Sequence, residues 1–298
     1  MTDRSISRKP SETALMAALR RELANKSYPG SRFGSDNLAE AFLPAHFRFF
    51  LKFDSVRQNT SEKLENGLPG LQAYMIARTQ FFDELFVEAL KDQMPQIVLL
   101  GAGYDTRSYR FHGLNHGTRI FELDSPPTQK RKKKYLKRAG IPIPGTVTFV
   151  PINFNEQPLA ETLALAGFLH GQKTLFIWEG VSYYLEADSV DRTLAFASRA
   201  HPDSSFAFDY TITVSEEMLD QYYGARGFYQ AMAHHHGAEA LLFSLPDGAL
   251  ESFLEKRDLQ LIRYMDKRSI EEAYLTQDNG ALLSPMTGHF RLVVARPV

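Results

Sequence analysis

The stretch Gln96-Ile-Val-Leu-Leu-Gly-Ala-Gly-Tyr-Asp-Thr-Arg107 decides the fold of this chain. Its apolar run, Ile97 to Leu100, predicts a buried strand, and Gly101-Ala-Gly103 predicts a tight turn into a helix. Glycine suits such a turn because a backbone without a Cβ bends sharply and lets a ligand approach closely. A strand, a glycine turn and a helix in this order form the nucleotide-binding crevice of many α/β sheets.

C-terminal to this stretch, strand patterns alternate with helix patterns, which indicates a doubly wound, mostly parallel α/β sheet. Further strands are predicted at 118–124, 146–150, 173–179, 205–210, 258–264 and 289–295. The insertion at 211–250 follows the fifth strand, so it should lie above the carboxyl ends of the strands, where ligands bind. We therefore interpret it as a lid.

N-terminal to this stretch, apolar residues at helical spacing predict helices at 11–23, 37–53 (interrupted near Pro44) and 71–91. The second helix is rich in aromatic residues, which we interpret as helical core; an aromatic wall over a ligand is the alternative. These aromatic residues are Phe42, Phe47, Phe49, Phe50 and Phe53. We expect one domain, 1–298, comprising a helical N-terminal cap (1–94), a cofactor-binding core (95–210), the lid (211–250) and the C-terminal strands of the sheet (251–298).

The composition is that of a globular protein, with 44% hydrophobic and 23% charged residues among 298. The net charge of −1 gives no basic field for nucleic acid, and no apolar run approaches the ~18 residues of a membrane span. The chain has no cysteine, which excludes disulfides and thiol nucleophiles. Because residues 1–10 lack the apolar segment of a signal peptide, a cytoplasmic location is expected.

Polar residues stand where the next three strands are predicted to end. Asp124 lies 21 residues beyond Gly103, close to the spacing of about 20 at which a carboxylate accepts hydrogen bonds from ribose hydroxyls. The Asn153 amide can bond an adenine edge while Phe154 packs on the ring, and Glu179 ends the fourth strand. Individually, Asp124 could instead be a helix N-cap, and Asn153 a turn residue.

The glycine turn departs from the dinucleotide pattern, because no glycine follows Gly103 where a third glycine would pack the helix against the strand. A nucleoside without phosphates, such as S-adenosylmethionine, makes fewer demands on the turn. An NAD(P)-dependent oxidoreductase and a non-catalytic cofactor-binding protein remain as alternatives.

Other candidate residues have plain structural explanations. Taken alone, Arg78 is predicted to be a solvated or salt-bridged helix residue. The run Lys130 to Lys134 is predicted to form a solvated helix face. No metal site is predicted from His234-His-His236, because three adjacent helical residues cannot all face one ion.

Three motifs together resemble the leucine carboxyl methyltransferase family, in particular its bacterial S-adenosylmethionine-dependent branch. They are Leu99-Leu-Gly-Ala-Gly-Tyr-Asp-Thr-Arg107, Phe121-Glu-Leu-Asp-Ser-Pro126 and Trp178-Glu-Gly-Val-Ser-Tyr-Tyr-Leu185. Upstream, Ser11-Glu-Thr-Ala-Leu15 and Ala77-Arg-Thr-Gln-Phe-Phe-Asp83 match as well. The resemblance implies a Rossmann-like class I methyltransferase fold of seven strands, the last antiparallel.

The resemblance also implies roles for individual residues. Gly101 and Gly103 would lie against the methionine part of the cofactor, and Arg78 would pair with its carboxylate. Glu179 would lie near the amino group or the sulfonium. Asp124 would hold the ribose, and Asn153 and Phe154 the adenine, where the family more often has Asp-Leu. Tyr184 matches a tyrosine on the substrate side.

Methyl transfer requires alignment and exclusion of water more than it requires acid–base groups. A carboxylate acceptor needs no base, whereas a hydroxyl acceptor would need one, such as Tyr184 or a histidine of the lid. We therefore expect O-methylation of a small molecule but assign no catalytic residue. The methyl acceptor and the oligomeric state stay open.

Overall fold

The computed structural model describes residues 10–154, 156–233 and 241–298. Its centre is a seven-stranded sheet in the order β3-β2-β1-β4-β5-β7-β6. The strands are β1 (Gln96–Leu100), β2 (Arg119–Asp124), β3 (Val147–Pro151), β4 (Thr174–Trp178), β5 (Ser205–Thr211), β6 (Leu259–Met265) and β7 (Phe290–Pro297). β7 pairs antiparallel with both β5 and β6, and the pairs among β1 to β5 are parallel. The predicted α/β sheet with an antiparallel last strand is confirmed.

The opening stretch forms the central strand β1, which is buried along its whole length. Its side chains alternate between the two faces of the sheet, as the pleat requires. Ile97 and Leu99 join one buried apolar cluster, whereas Val98 and Leu100 join another on the opposite face. A strand covered on both sides explains the unbroken apolar run in the sequence.

Helices cover both faces of the sheet. They are α1 (Glu12–Ser27), α2 (Ala45–Phe50), α3 (Asp54–Gly67), α4 (Leu71–Lys91), α5 (Arg107–Arg110), α6 (Pro126–Ala139), α7 (Leu159–Leu165), α8 (Ala187–Ala197), α9 (Ala225–Ala233), α10 (Leu250–Glu255) and α11 (Lys267–Ile270). A π-helical turn, Glu271–Leu275, follows α11. None of the helices in the described ranges combines the length and apolarity needed to cross a bilayer.

The N-terminal region packs less uniformly than its composition suggests. Ser11 caps α1, accepting a hydrogen bond from the Ala14 backbone N–H at 3.0 Å. Phe42 is fully buried, but Phe49, Phe50 and Phe53 are each more than half exposed, so their placement in the core was wrong. The helix that carries Phe49 and Phe50 has only six residues, and Phe47 fills its inward side. The remaining aromatic rings pack edge-to-face on one another instead.

The basic helix α6 is a solvated face only in part. Lys130, Lys133 and Lys134 are exposed. Lys132 is 1% exposed, and its ammonium lies 2.8 Å from Glu122 Oε2 on β2. The prediction was therefore wrong for Lys132, because that position turns inward to neutralise a carboxylate in the sheet. A buried ion pair of this kind is stable only while both partners remain.

Candidate functional site

A cavity of about 1100 Å³ opens at the carboxyl ends of the parallel strands. It lies where the chain order reverses between the neighbouring strands β1 and β4, the position at which doubly wound sheets bind their ligands. All of the predicted site residues contribute to its wall: Arg78, Gly101, Gly103, Asp124, Asn153, Phe154, Glu179 and Tyr184. The fold thus brings together residues that are up to 106 positions apart, 78 and 184 being the extremes.

The glycine turn has a backbone conformation and close neighbours that disfavour side chains. Gly101 has φ +72°, and a Cβ added there would lie 2.5 Å from a Val181 methyl group. Gly103 has φ +41°. Its N–H donates a 2.6 Å hydrogen bond to Asp124 Oδ2. The turn therefore needs glycine for its conformation and is fixed to the end of β2.

Asp124 is held by two backbone donors. Besides the bond from Gly103, its Oδ1 accepts a 2.6 Å hydrogen bond from the Ser125 N–H. Burial raises the pKa of the Asp124 carboxyl, and these two hydrogen bonds oppose that shift. Ser125, rather than Asp124, occupies the N-cap position of α6. Since a carboxylate offers about four lone-pair sites, Asp124 keeps acceptor capacity for a ligand.

Asn153 and Phe154 follow β3 and reach the same cavity. The Asn153 carbonyl accepts backbone hydrogen bonds from Glu156 at 3.1 Å and Gln157 at 2.9 Å. Asn153 is thus a turn residue, as the alternative interpretation held, and it also lines the cavity. Phe154 packs at the edge of the apolar cluster on one face of the sheet.

Arg78 on α4 is buried rather than solvated, with 6% of its surface exposed. Its Nε lies 2.9 Å from Glu179 Oε1, and its Nη1 donates to Asp209 Oδ2 at 3.2 Å. Burial opposes the charge, but Glu179 leads the neighbours that raise the pKa of Arg78 well above its ordinary value. Within the described residues no hydrogen bond is made by Nη2, although Arg78 contributes to the cavity wall. One edge of the guanidinium is therefore available to an anion.

Asp209 is a functional candidate that sequence reasoning missed. It is fully buried on β5, where Oδ2 accepts from the Tyr74 hydroxyl at 2.7 Å and Oδ1 accepts from the Gly180 N–H at 2.6 Å. Asp209 also accepts a hydrogen bond from Arg78, so its side chain connects β5 with α4 and with the turn after β4. A lone carboxylate in the apolar strand Ser205–Thr211 was a readable signal, because a buried charge needs partners.

Arg107, for which no partner was predicted from the sequence, forms the centre of a buried ionic network. It contacts Asp105 at 2.6 Å, Glu179 at 2.7 Å and Asp83 at 2.8 Å. Although burial opposes ionisation, Arg107 lowers the pKa of Asp105 to about 2. Burial likewise opposes the charge of Arg107, but Asp105 and Glu179 raise its pKa. Glu179 therefore lies between Arg78 and Arg107, in ion-pair contact with both.

Tyr184 lies beside the turn after β4, with its ring 4.7 Å from that of Tyr183. The Tyr183 hydroxyl lies 3.2 Å from Arg78 Nη1, a contact not anticipated from the sequence. Residues of the 211–250 segment, Phe228, Ala231, Met232 and Leu242, also line the cavity. His234 to His236 lie outside the described residues.

The sheet order and the position of the cavity define a class I methyltransferase fold. The same fold is found in a solved structure from Thermobifida fusca that is named a methyltransferase by inference. The two chains are 12% identical, their TM-score is 0.58, and the match covers 97% of this chain and 95% of that one. The family model of the leucine carboxyl methyltransferases matches residues 14–198, more than half of the chain. The chain belongs to the leucine carboxyl methyltransferase family.

Sequence relatives agree with this assignment. A Bacillus subtilis protein, named by inference an S-adenosyl-L-methionine-dependent methyltransferase, is 29% identical over 238 residues, which are 78% of this chain and 77% of the relative. A Mycobacterium tuberculosis protein with the same inferred description is 32% identical over 201 residues, covering 65% of this chain and 62% of the relative. The oxidoreductase alternative is not favoured by these matches.

Proposed function

We infer that the protein is an S-adenosylmethionine-dependent methyltransferase acting on an oxygen atom, a carboxylate or a hydroxyl, of a small molecule. The observation that carries this proposal is the convergence of a guanidinium edge, a glycine turn and an acceptor carboxylate on one cavity. Those groups are Arg78, Gly101 to Gly103 and Asp124. They suit a ligand that combines a carboxylate, a slender thioether chain and a ribose.

The donor and acceptor groups fit this cofactor. Arg78 Nη2 would bind its carboxylate, because a guanidinium edge suits that group. Asp124 would accept hydrogen bonds from the ribose hydroxyls, and Asn153 with Phe154 would hold the adenine. Glu179, which contacts two arginines, would attract the amino group or the sulfonium. Gly101 and Gly103 would leave room for the methionine chain.

S-adenosylmethionine supplies an activated methyl group, so the chain itself needs to align the acceptor and exclude water. In the transfer, the acceptor oxygen forms a bond to the methyl carbon while the sulfur keeps the electron pair of the broken bond. A carboxylate loses its charge in this step and releases no proton. A hydroxyl acceptor would need a proton acceptor, and Tyr184 is the substrate-side candidate.

The size of the cavity supports a small-molecule acceptor. Ligand pockets commonly measure about 300–1,000 Å³, and about 1100 Å³ leaves space for a second molecule beside the cofactor. The net charge of −1 gives no support for nucleic acid as the substrate. A cytoplasmic location and the division into cap (1–94), core (95–210), lid (211–250) and final strands (251–298) stay predictions.

Calorimetric titration with S-adenosylhomocysteine, with NADH in parallel, tests the cofactor assignment. We expect S-adenosylhomocysteine to bind, NADH not to bind, and Asp124→Ala to weaken the first interaction by about tenfold or more, the usual value of a charged hydrogen bond. Asp203→Ala, at a position exposed to solvent, is the control. No binding at high micromolar S-adenosylhomocysteine, or unchanged affinity in Asp124→Ala, contradicts the proposal. A non-catalytic protein would bind the cofactor yet transfer no labelled methyl group to any acceptor in cell extract.

A further inference from the structure

One of the arginines in the cavity wall differs from the others in its partners. The arginines of the wall are Arg20, Arg21, Arg78, Arg107 and Arg110. All except Arg20 lie between 2.6 and 2.9 Å from a carboxylate oxygen. No ion pair joins Arg20 to a carboxylate anywhere in the described parts of the chain.

Arg20 is also poorly supplied with neutral acceptors. It is 3% exposed, and its Nη1 reaches Gln72 Oε1 only at a long 3.4 Å. Its Nη2 is buried and has no hydrogen-bond partner among the described residues. Leaving a buried charged donor unpaired is costly, so such a group is expected to meet an anion in some state of the protein.

The Arg20 side chain keeps its positive charge despite this environment. Burial lowers its pKa to about 10, and the nearby Glu65 opposes the shift. The Glu65 Oε1 atom accepts a 2.7 Å hydrogen bond from the Gly70 N–H. At neutral pH, therefore, Arg20 is a buried cation in the wall of the cavity.

Apolar side chains line the cavity next to Arg20, besides the ion pair of Arg21 with Asp36. Met16 lies one helical turn before it on α1, and Met75 lies one turn beyond its partner Gln72 on α4; both line the cavity, as does Leu71. A ligand in this part of the cavity would thus combine an apolar body with an anionic group. A carboxylate matches a single guanidinium in charge, whereas a phosphate would bring a second charge for which the described residues of this wall offer no unpaired cation.

We propose that Arg20 binds a carboxylate of the methyl acceptor, so that the acceptors are apolar small molecules that carry an acid group. This assignment rests on the proposed function, in which the single carboxylate of the cofactor is bound by Arg78. Arg20 is then the residue that selects acids over neutral molecules of the same shape. The remaining cavity wall selects the apolar body.

The test compares acids with their primary amides, using 4-phenylbutyrate and decanoate as probes on protein saturated with S-adenosylhomocysteine. We expect each acid to bind the wild type about tenfold more tightly than its amide. This preference should disappear in Arg20→Met and persist in weakened form in Arg20→Lys. Arg268→Met, a charge loss on the exposed part of α11, should keep the full preference. Thermal unfolding establishes that each variant is folded.

Titration with S-adenosylhomocysteine alone separates the two possible sources of the carboxylate. We expect its affinity in Arg20→Met to stay within about twofold of the wild type, a difference well below one hydrogen bond. A large loss of that affinity would assign Arg20 to the cofactor and overturn the inference, while the proposed function stands. An equal affinity of wild type for acids and amides, binding of neither, or an acid preference that survives in Arg20→Met would also overturn it. Failure of the wild type to bind S-adenosylhomocysteine would instead refute the proposed function.

Discussion

Two regions of the cavity differ in how their charges are arranged. The rim, formed by the strand ends and Arg78, holds charges that are already paired with one another: Arg78 with Glu179 and Asp209, and Arg107 with Asp105 and Asp83. The cap wall, formed by α1, the start of α4 and the described part of the 211–250 segment, is mostly apolar and contains the unpaired Arg20. A prearranged rim suits one fixed ligand, whereas a mostly apolar wall with one unpaired cation suits a class of acceptors. We therefore assign the cofactor to the rim and the acceptor to the cap wall.

Loss of the Arg78 side chain should have the largest effect, because it disrupts the rim at its centre. Arg78→Met leaves Asp209 and Glu179 without this partner, and we expect it to lower the free energy of unfolding by about 3–5 kcal/mol. Affinity for S-adenosylhomocysteine should fall by about a hundredfold. Urea unfolding and calorimetry measure the two effects. Arg78→Lys, which keeps the charge, should recover part of both; full affinity in Arg78→Met would remove Arg78 from the site.

The paired charges of the rim should also give it an acid-sensitive stability. The folded-state pKa of Asp105 is lowered to about 2. A lowered pKa stabilises the folded protein at pH values above the unfolded-state pKa of ~3.9. This stabilisation of about 2 kcal/mol is lost as the pH falls towards 2. We expect Asp105→Asn to be destabilised at pH 6 and to approach the wild type as the pH falls.

Urea unfolding at several pH values between 6 and 3 measures this difference between Asp105→Asn and the wild type. Asp203→Asn, which lies outside the rim, should show a small and pH-independent difference. A gap between Asp105→Asn and the wild type that stayed constant with pH would mean that the pairing with Arg107 does not set the ionisation of Asp105.

Asp209 offers a way to test separately how the rim binds the amino-acid part and the adenosine part of the cofactor. Asp209 orients Arg78, so Asp209→Asn should lower the affinity for S-adenosylhomocysteine by about tenfold. Binding of 5′-methylthioadenosine, which has no amino-acid part, should be unchanged. If Asp209 had a purely structural role, the substitution would lower the affinity for both ligands equally. Calorimetry with the two ligands distinguishes these outcomes, and Asp203→Asn is again the matched control.

The smallest effect on the cofactor should come from the cap wall. Leu242 lines the cavity, but its backbone N–H is what donates to the Tyr183 carbonyl at 2.8 Å, so Leu242→Ala keeps that contact. We expect S-adenosylhomocysteine affinity to change by less than about twofold, and affinity for 4-phenylbutyrate to fall a few-fold through lost apolar contact. The reverse pattern, a weaker cofactor with an unchanged acid, would contradict the division of the cavity.

More of the rim than of the cap wall could be predicted from the sequence, for physical reasons. Strand ends are marked in the sequence, so Asp124 and Glu179 could be placed beside the glycine turn before any contact was known. Arg78 could be placed only through the family resemblance, because nothing local shows that α4 carries it over the strand ends. The wall is assembled from apolar residues of separate segments, and no local pattern marks Arg20 as unpaired.

Exposure was also difficult to predict. The run from Phe47 to Phe53 has core composition, yet Phe49, Phe50 and Phe53 lie outside, because a six-residue helix has little inward surface. The helix α3 that follows was not predicted, and none of its side chains is buried. Its sequence therefore carries no apolar stripe from which a helix could be recognised.

A crystal structure with bound S-adenosylhomocysteine tests the central claim most directly. We expect the ligand to lie along the rim, with its carboxylate on Arg78, its ribose hydroxyls on Asp124 and its adenine between Asn153 and Phe154. The space beside Arg20 should remain open to an acceptor. A ligand whose carboxylate lies on Arg20, or whose ribose lies away from Asp124, would contradict the assignment of the cofactor to the rim.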